Sequence, residues 1–128
     1  MRLLIDSNVF LWTAFDPSQL SSRARAAVED PDNTLVVSTI TPLELALAAS
    51  KGRLALGDSV EGFFRDHMDD LEAEELPFAM QHAFSTIRFS YTLRDPMDRA
   101  LAGQASWEGL PMITRDRVIP TLGIQVVW

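Results

Sequence analysis

The chain contains no cysteine, a single lysine (Lys51) and only two histidines, His67 and His82, among its 128 residues. The first absence excludes disulfides, thiolate nucleophiles and thiolate zinc sites, and it is compatible with a reducing cytosol. No apolar run approaches the roughly 20 residues needed to span a bilayer. Met1–Ile5 leads at once into an acid, Asp6, so no secretory leader is expected. No repeat, linker or low-complexity tract interrupts the chain. Positive charge is scarce as well: the formal net charge is −7. That argues against a simple phosphate-backbone binder, and it leaves room for a nuclease whose carboxylates are offset by divalent cations, or for a basic protein partner.

What is present suits one compact domain spanning residues 1–128. Apolar residues make up 47% of the chain and charged residues 23%, an ordinary globular balance. Strand and helix patterns alternate. Strands are expected at Arg2–Ile5, Thr34–Ser38, Glu75–Pro77, Pro111–Thr114 and Ile124–Val127. Helices are expected at Asn8–Phe15, from Ser21 or Ser22 to Glu29, from Thr41-Pro42 to Ser50 with Gly52 at the C-cap, at Ser59–Leu71, at Ala79–Phe89, and from Asp95-Pro96 to Trp107 before Gly109. This order predicts an α/β fold, a three-layer α/β/α sandwich around a mainly parallel sheet of about five strands.

Ligand sites in such sheets lie beyond the carboxyl ends of the strands. Asp6 follows the first strand there and Asp116 the fourth. Glu44 and Asp98 sit near helix starts that should face the same end. Four remote acids could thus converge, an arrangement that metal ions stabilise. Three of them have simpler readings: Asp6 as a helix cap, Asp98 as a first-turn acid of a helix capped by Asp95, and Asp116 as a solvated turn residue. Glu44 is harder to explain in that way. It stands in the apolar segment PLELALAAS with no charged partner within one turn, so a metal, a remote arginine or a wet cleft must satisfy it. Arg94, Arg99, Arg115 and Arg117 lie close in sequence to Asp98 or Asp116. They are possible phosphate contacts or ordinary ion-paired charge. Both histidines are expected in the surface or core. Phe10, Trp12 and Phe15 form one apolar group and Phe63 and Phe64 another, most of them expected in the core and some on a dimer surface or partner groove.

The ordered set LLIDSN, PLELA, RDPMDRALAGQA, MITRD and IQVVW resembles PIN-domain toxins of the VapC type over essentially the whole chain. The resemblance implies a cytoplasmic ribonuclease dependent on Mg²⁺ or Mn²⁺, a homodimer, and a cognate antitoxin that blocks the site. It matches Asp6, Glu44, Asp98 and Asp116 to the family's metal-binding catalytic acids. Ser7, Asn8, Asp95 and Thr114 match supporting positions. The chain departs from the pattern at Asp6-Ser7-Asn8, where Asp-Thr-His is common, and at Leu43, where a Trp often stands. Two rivals follow. A receiver-like or haloacid-dehalogenase-like phosphoryl-transfer domain needs a late lysine, and for the dehalogenase a second Asp where Asn8 stands. A non-catalytic PIN-like module would bind RNA or protein without cutting.

Overall fold

The computed structural model describes residues 1–56, 59–89 and 91–128. Strand β1 (Arg2–Ile5) alternates its side chains between two apolar layers: Leu4 faces one, Leu3 and Ile5 the other. A strand buried on both faces belongs in the middle of a parallel sheet, and β1 is there. It pairs in parallel with β2 (Thr34–Ser38) on one side and with β4 (Met112–Ile113) on the other, with Leu4 opposite both Val36 and Met112. β3 (Glu74–Leu76) and β5 (Val126–Val127) close the edges in the order β3-β2-β1-β4-β5. Among the described residues the sheet has five strands, and every pairing is parallel. The expected architecture is therefore the observed one, with the last two strands shorter than the sequence suggests.

Local chemistry sets the helix starts. Asp6 caps α1 (Ser7–Phe15), Ser21 caps α2 (Ser22–Glu29) and Ser59 caps α4 (Val60–Asp70), each accepting a backbone N–H three residues on. α3 (Ile40–Ser50) runs to Lys51, and Gly52 follows in the left-handed region at φ +69°. α6 (Pro96–Glu108) has Asp95 as cap, Pro96 in its first turn and Gly109 at φ +65° as its stop. One expectation fails. The helix predicted over Ala79–Phe89 is α5 (Met80–Ser85) followed by a 3₁₀ turn, Thr86–Phe89. The Thr86 hydroxyl donates to the Ala83 carbonyl at 2.6 Å, and β-branched Ile87 follows, so the α-helical ladder is loosened there.

The layer containing Leu4, Val36 and Met112 is covered by α6, which buries Ala100, Leu101, Ala102 and Ala105. α5 lies against α6 so closely that a Cβ at Gly103 would come within 2.8 Å of the His82 carbonyl oxygen and 3.0 Å of Thr86 Cγ2. A mid-helix glycine normally weakens its helix by about 1 kcal/mol relative to alanine. Here the sign reverses: Gly103→Ala is expected to destabilise the protein by about 1–3 kcal/mol, measured by urea unfolding, because backbone must move. On the other face, Val9 and Phe10 of α1, Ala24 of α2 and Leu45 of α3 pack with Leu3, Ile5 and Val37. Phe63 and Phe64 of α4 join that same layer, so the aromatics of α1 and α4 form one cluster where the sequence suggested two.

Candidate active site

Parallel strands aim their carboxyl ends at one edge of the sheet, and the acids collect there. Asp6, Asn8, Trp12, Asp98, Thr114, Arg115 and Asp116 line one cleft of about 230 Å³, floored by Leu101, Met112 and Ile119. Asp6 does cap α1, its Oδ1 accepting the Val9 N–H at 2.7 Å. The simple reading is therefore correct, and it coexists with a place in the cleft, since one oxygen suffices for the cap. Thr114 couples two of the acids. Its hydroxyl oxygen accepts the Asp116 N–H at 3.0 Å and the same hydroxyl bonds to the Asp6 carboxylate. Asp116 Oδ1 in turn accepts the Val118 N–H at 2.8 Å. Both carboxylates are thus aimed by the backbone that follows them.

Glu44 lies outside the lining of this cleft but beside it. The Ser7 hydroxyl donates to Glu44 Oε1 at 2.8 Å and lies 3.2 Å from the hydroxyl of buried Thr41. This is the partner missing from Glu44's own helix, supplied from the start of α1, 37 residues away in sequence. Asp95 is occupied as the cap of α6, accepting from Met97 N at 2.8 Å, and it too is absent from the cleft lining.

The electrostatics record crowding. Burial, then the charges of Asp95, Asp116 and Asp6, push the Asp98 carboxyl from an ordinary 3.8 up to about 6. Burial raises Asp6 as well, opposed by its bonds to Thr114 and Val9, and the charge of Asp116 adds to the rise. Glu44 is raised by burial and by the charges of Asp98, Asp95 and Asp6, with Ser7 pulling the other way. Each acid thus feels its neighbours. Among the described residues, however, no three His, Asp or Glu side chains are already gathered tightly enough to hold a metal ion between them.

Of the four arginines, only Arg115 lines the cleft. Its guanidinium lies over the Trp12 ring, 4.6 Å from the centroid. Arg94 and Arg117 are exposed, and Arg99 reaches the Arg94 carbonyl oxygen at 3.4 Å. Among the described residues none of the four forms an ion pair with an acid. The histidines are core groups, as expected. His67 Nε2 lies 2.8 Å from Thr13 Oγ1 and 3.1 Å from the Phe10 carbonyl oxygen, and burial lowers its pKa. His82 Nδ1 accepts the Ala79 N–H, and its Nε2 meets Glu108 at 2.7 Å. Phe10 is fully buried, whereas Phe15 is 58% exposed and stacked on Phe63. Trp12 is the cleft residue that a composition-led reading assigns to the core. The signal for it was helical spacing, because Trp12 stands four residues after Asn8 on α1 and shares its side.

An acid-lined cleft at the carboxyl end of a parallel α/β/α sheet defines a class of small acidic-site domains. Comparison with known proteins narrows it. The model of the PIN domain family matches residues 3–124, and the chain belongs to that family. Ribonuclease VapC22 of Mycobacterium tuberculosis is 28% identical over 115 residues, covering 90% of this chain and 87% of the relative. Among solved structures, VapBC2 from Rickettsia felis, bound to a promoter DNA fragment, superimposes with a TM-score of 0.70 at 15% identity, covering 98% of this chain and 97% of that one. DNA-bound VapBC from Salmonella typhimurium gives 0.67 at 21% identity, covering 98% and 96%. These structures share the fold.

Proposed function

We propose that this protein is a metal-dependent endoribonuclease of the PIN family that acts in the cytoplasm as the toxin of a toxin–antitoxin pair, hydrolysing RNA phosphodiester bonds. The observation that carries the reading is the meeting of Asp6, Asp98 and Asp116, drawn from three separate parts of the chain, in one cleft. Membership of the PIN family, the relative named as a VapC ribonuclease and the fold shared with VapBC proteins support it.

The residues present fit a hard divalent cation. Carboxylate, amide and hydroxyl oxygens line the cleft, with no histidine in its wall. Mg²⁺ prefers oxygen, keeps several waters and needs only one or two direct carboxylates, so a pre-gathered trio is unnecessary. The raised carboxyl of Asp98 shows what a cation would relieve. Asp6, Asp98 and Asp116 would hold it, with Glu44 acting directly or through water. When bound, Mg²⁺ or Mn²⁺ supplies the acidification of water and the charge neutralisation that phosphodiester hydrolysis requires. The chain itself orients the acids: Val9 N–H and Thr114 fix Asp6, Val118 N–H fixes Asp116, and Ser7 fixes Glu44. A homodimer and a cognate antitoxin complete the reading.

The test is cleavage of labelled total RNA by the purified protein with Mg²⁺ or Mn²⁺, with chelator, and beside Asp6→Asn. Metal-dependent cleavage that falls at least about 100-fold in the variant is expected, since losing even supporting groups around a metal costs about 10–100-fold. Cleavage by the variant at the native rate would reject the site. Absence of cleavage by the folded native protein with either metal would favour the non-catalytic module.

A further inference from the structure

Trp12 and Arg115 meet at the wall of the cleft, and the contact is organised differently from the other charges there. Arg115 follows Thr114 and precedes Asp116, yet among the described residues it pairs with no carboxylate. It lies instead over the Trp12 indole, 4.6 Å from the centroid. The indole is itself braced by Trp128, 6.1 Å away and tilted by 52°. One guanidinium nitrogen, Nη1, reaches Gln19 Oε1 at 3.5 Å, the far limit of a hydrogen bond. A guanidinium seated over an aromatic ring still has N–H groups for oxygen acceptors, and phosphate is one that it can bind with two parallel bonds. The surroundings make this position informative. The protein carries a net charge of −7, and Arg115 is the one basic residue lining the acidic cleft among the described residues. An RNA strand entering the cleft therefore meets its cationic contact there.

We infer that Trp12 and Arg115 act as one subsite, in which Arg115 holds a phosphate flanking the bond to be cut and Trp12 positions Arg115. This rests on the ribonuclease reading above, and it adds a residue pair and a division of labour. Arg115 is the contact. Trp12 acts through it, so the two substitutions should not have independent effects.

The test is a double-substitution cycle read by binding. A short fluorescein-labelled single-stranded RNA of mixed sequence is titrated by anisotropy at several salt concentrations. All proteins carry Asp6→Asn so that the strand stays intact. Arg115→Ala is expected to weaken binding about tenfold, the effect of one charge-assisted hydrogen-bonded contact, and to reduce the salt slope by about 0.7, that of one phosphate on a single strand. Trp12→Leu, which keeps apolar bulk against Trp128, is expected to weaken binding and flatten the slope although Arg115 remains. Arg115→Ala with Trp12→Leu should bind no more weakly than Arg115→Ala alone. Trp12→Phe keeps a smaller ring and is expected to fall between parent and Trp12→Leu, so the cycle can also be read if the leucine variant does not fold. Unchanged affinity and slope in Arg115→Ala, or losses that simply add, would overturn the inference. The same substitutions with Asp6 restored are assayed for cleavage, where a raised KM with kcat nearly kept is expected. Metal-dependent cleavage with a flat binding cycle would sink the subsite and leave the nuclease standing. Coupled binding without cleavage would reject the nuclease and leave the pair as a phosphate contact of an RNA-binding module.

Discussion

Asp98→Asn is expected to melt higher than the native protein at pH 7 without metal and to cleave RNA at least about 100-fold more slowly. Both effects have one cause. The folded protein holds the Asp98 proton with a pKa of about 6, against 3.8 ordinarily, because burial and three neighbouring carboxylates oppose its charge. A carboxyl whose folded value is raised contributes stability that is fully present below about pH 4 and is lost as the pH climbs through about 6. At pH 7 the native protein has lost that contribution, whereas asparagine carries no charge to oppose. After allowance for the solvent screening of a half-exposed group, the gain is on the order of 1 kcal/mol, or about 4 °C in Tm. Calorimetry of both proteins at pH 4 and pH 7 checks it: the difference should be small at the lower pH and appear at the higher. Mg²⁺ should raise the melting temperature of the native protein more at pH 7 than at pH 4, because protons and metal compete for the same oxygens. A variant that melts lower than native at pH 7 would show that Asp98 is held by attractive contacts and is not a crowded acid.

The second large effect concerns Phe10. Its ring is fully buried, 5.1 Å from Phe64, 6.1 Å from Phe63 and 4.8 Å from the His67 imidazole. Its carbonyl oxygen receives the Thr13 hydroxyl at 2.7 Å and lies within reach of His67 Nε2. Phe10→Ala is expected to cost about 3–5 kcal/mol, or about 12–20 °C in Tm. The loss reaches the cleft, since α1 presents Asp6 as its cap, Ser7 to Glu44, and Asn8 and Trp12 to the wall. Cleavage per folded molecule, measured well below the new midpoint, should therefore fall too. Phe10→Leu, which keeps most of the volume, should keep most of the activity. Equal activity per folded molecule in Phe10→Ala would mean that α1 is anchored by its cap alone.

Features written in local chemistry were legible in the sequence. Asp95-Pro96 and Gly109 bracket α6, the TLVVS run is β2, and Gly52 takes the left-handed turn after α3. The strand order put Asp6 and Asp116 at one edge because parallel crossovers leave few alternatives. Features made by tertiary contact were hidden. Nothing near Glu44 in sequence announces Ser7 as its donor, and nothing near Trp12 announces Arg115. The 3₁₀ turns at Pro17–Gln19 and Ile119–Leu122 are too short for a periodic signal, and α5 yields to one at Thr86. Asp95 was legible as the cap of α6, and its carboxylate takes that place in the fold while its charge still reaches Asp98 and Glu44.

The central position of β1 bears on how the protein is made. β1 is made before both of the strands it lies between, and its partner β4 comes more than 100 residues later. Asp6 is therefore translated long before Asp116 of the same cleft. A nascent or prematurely terminated chain carries Asp6, Glu44 and even Asp98 without the strand and turn that bring in Asp116. The acids of the cleft are therefore complete only after β4 has been made and has paired with β1.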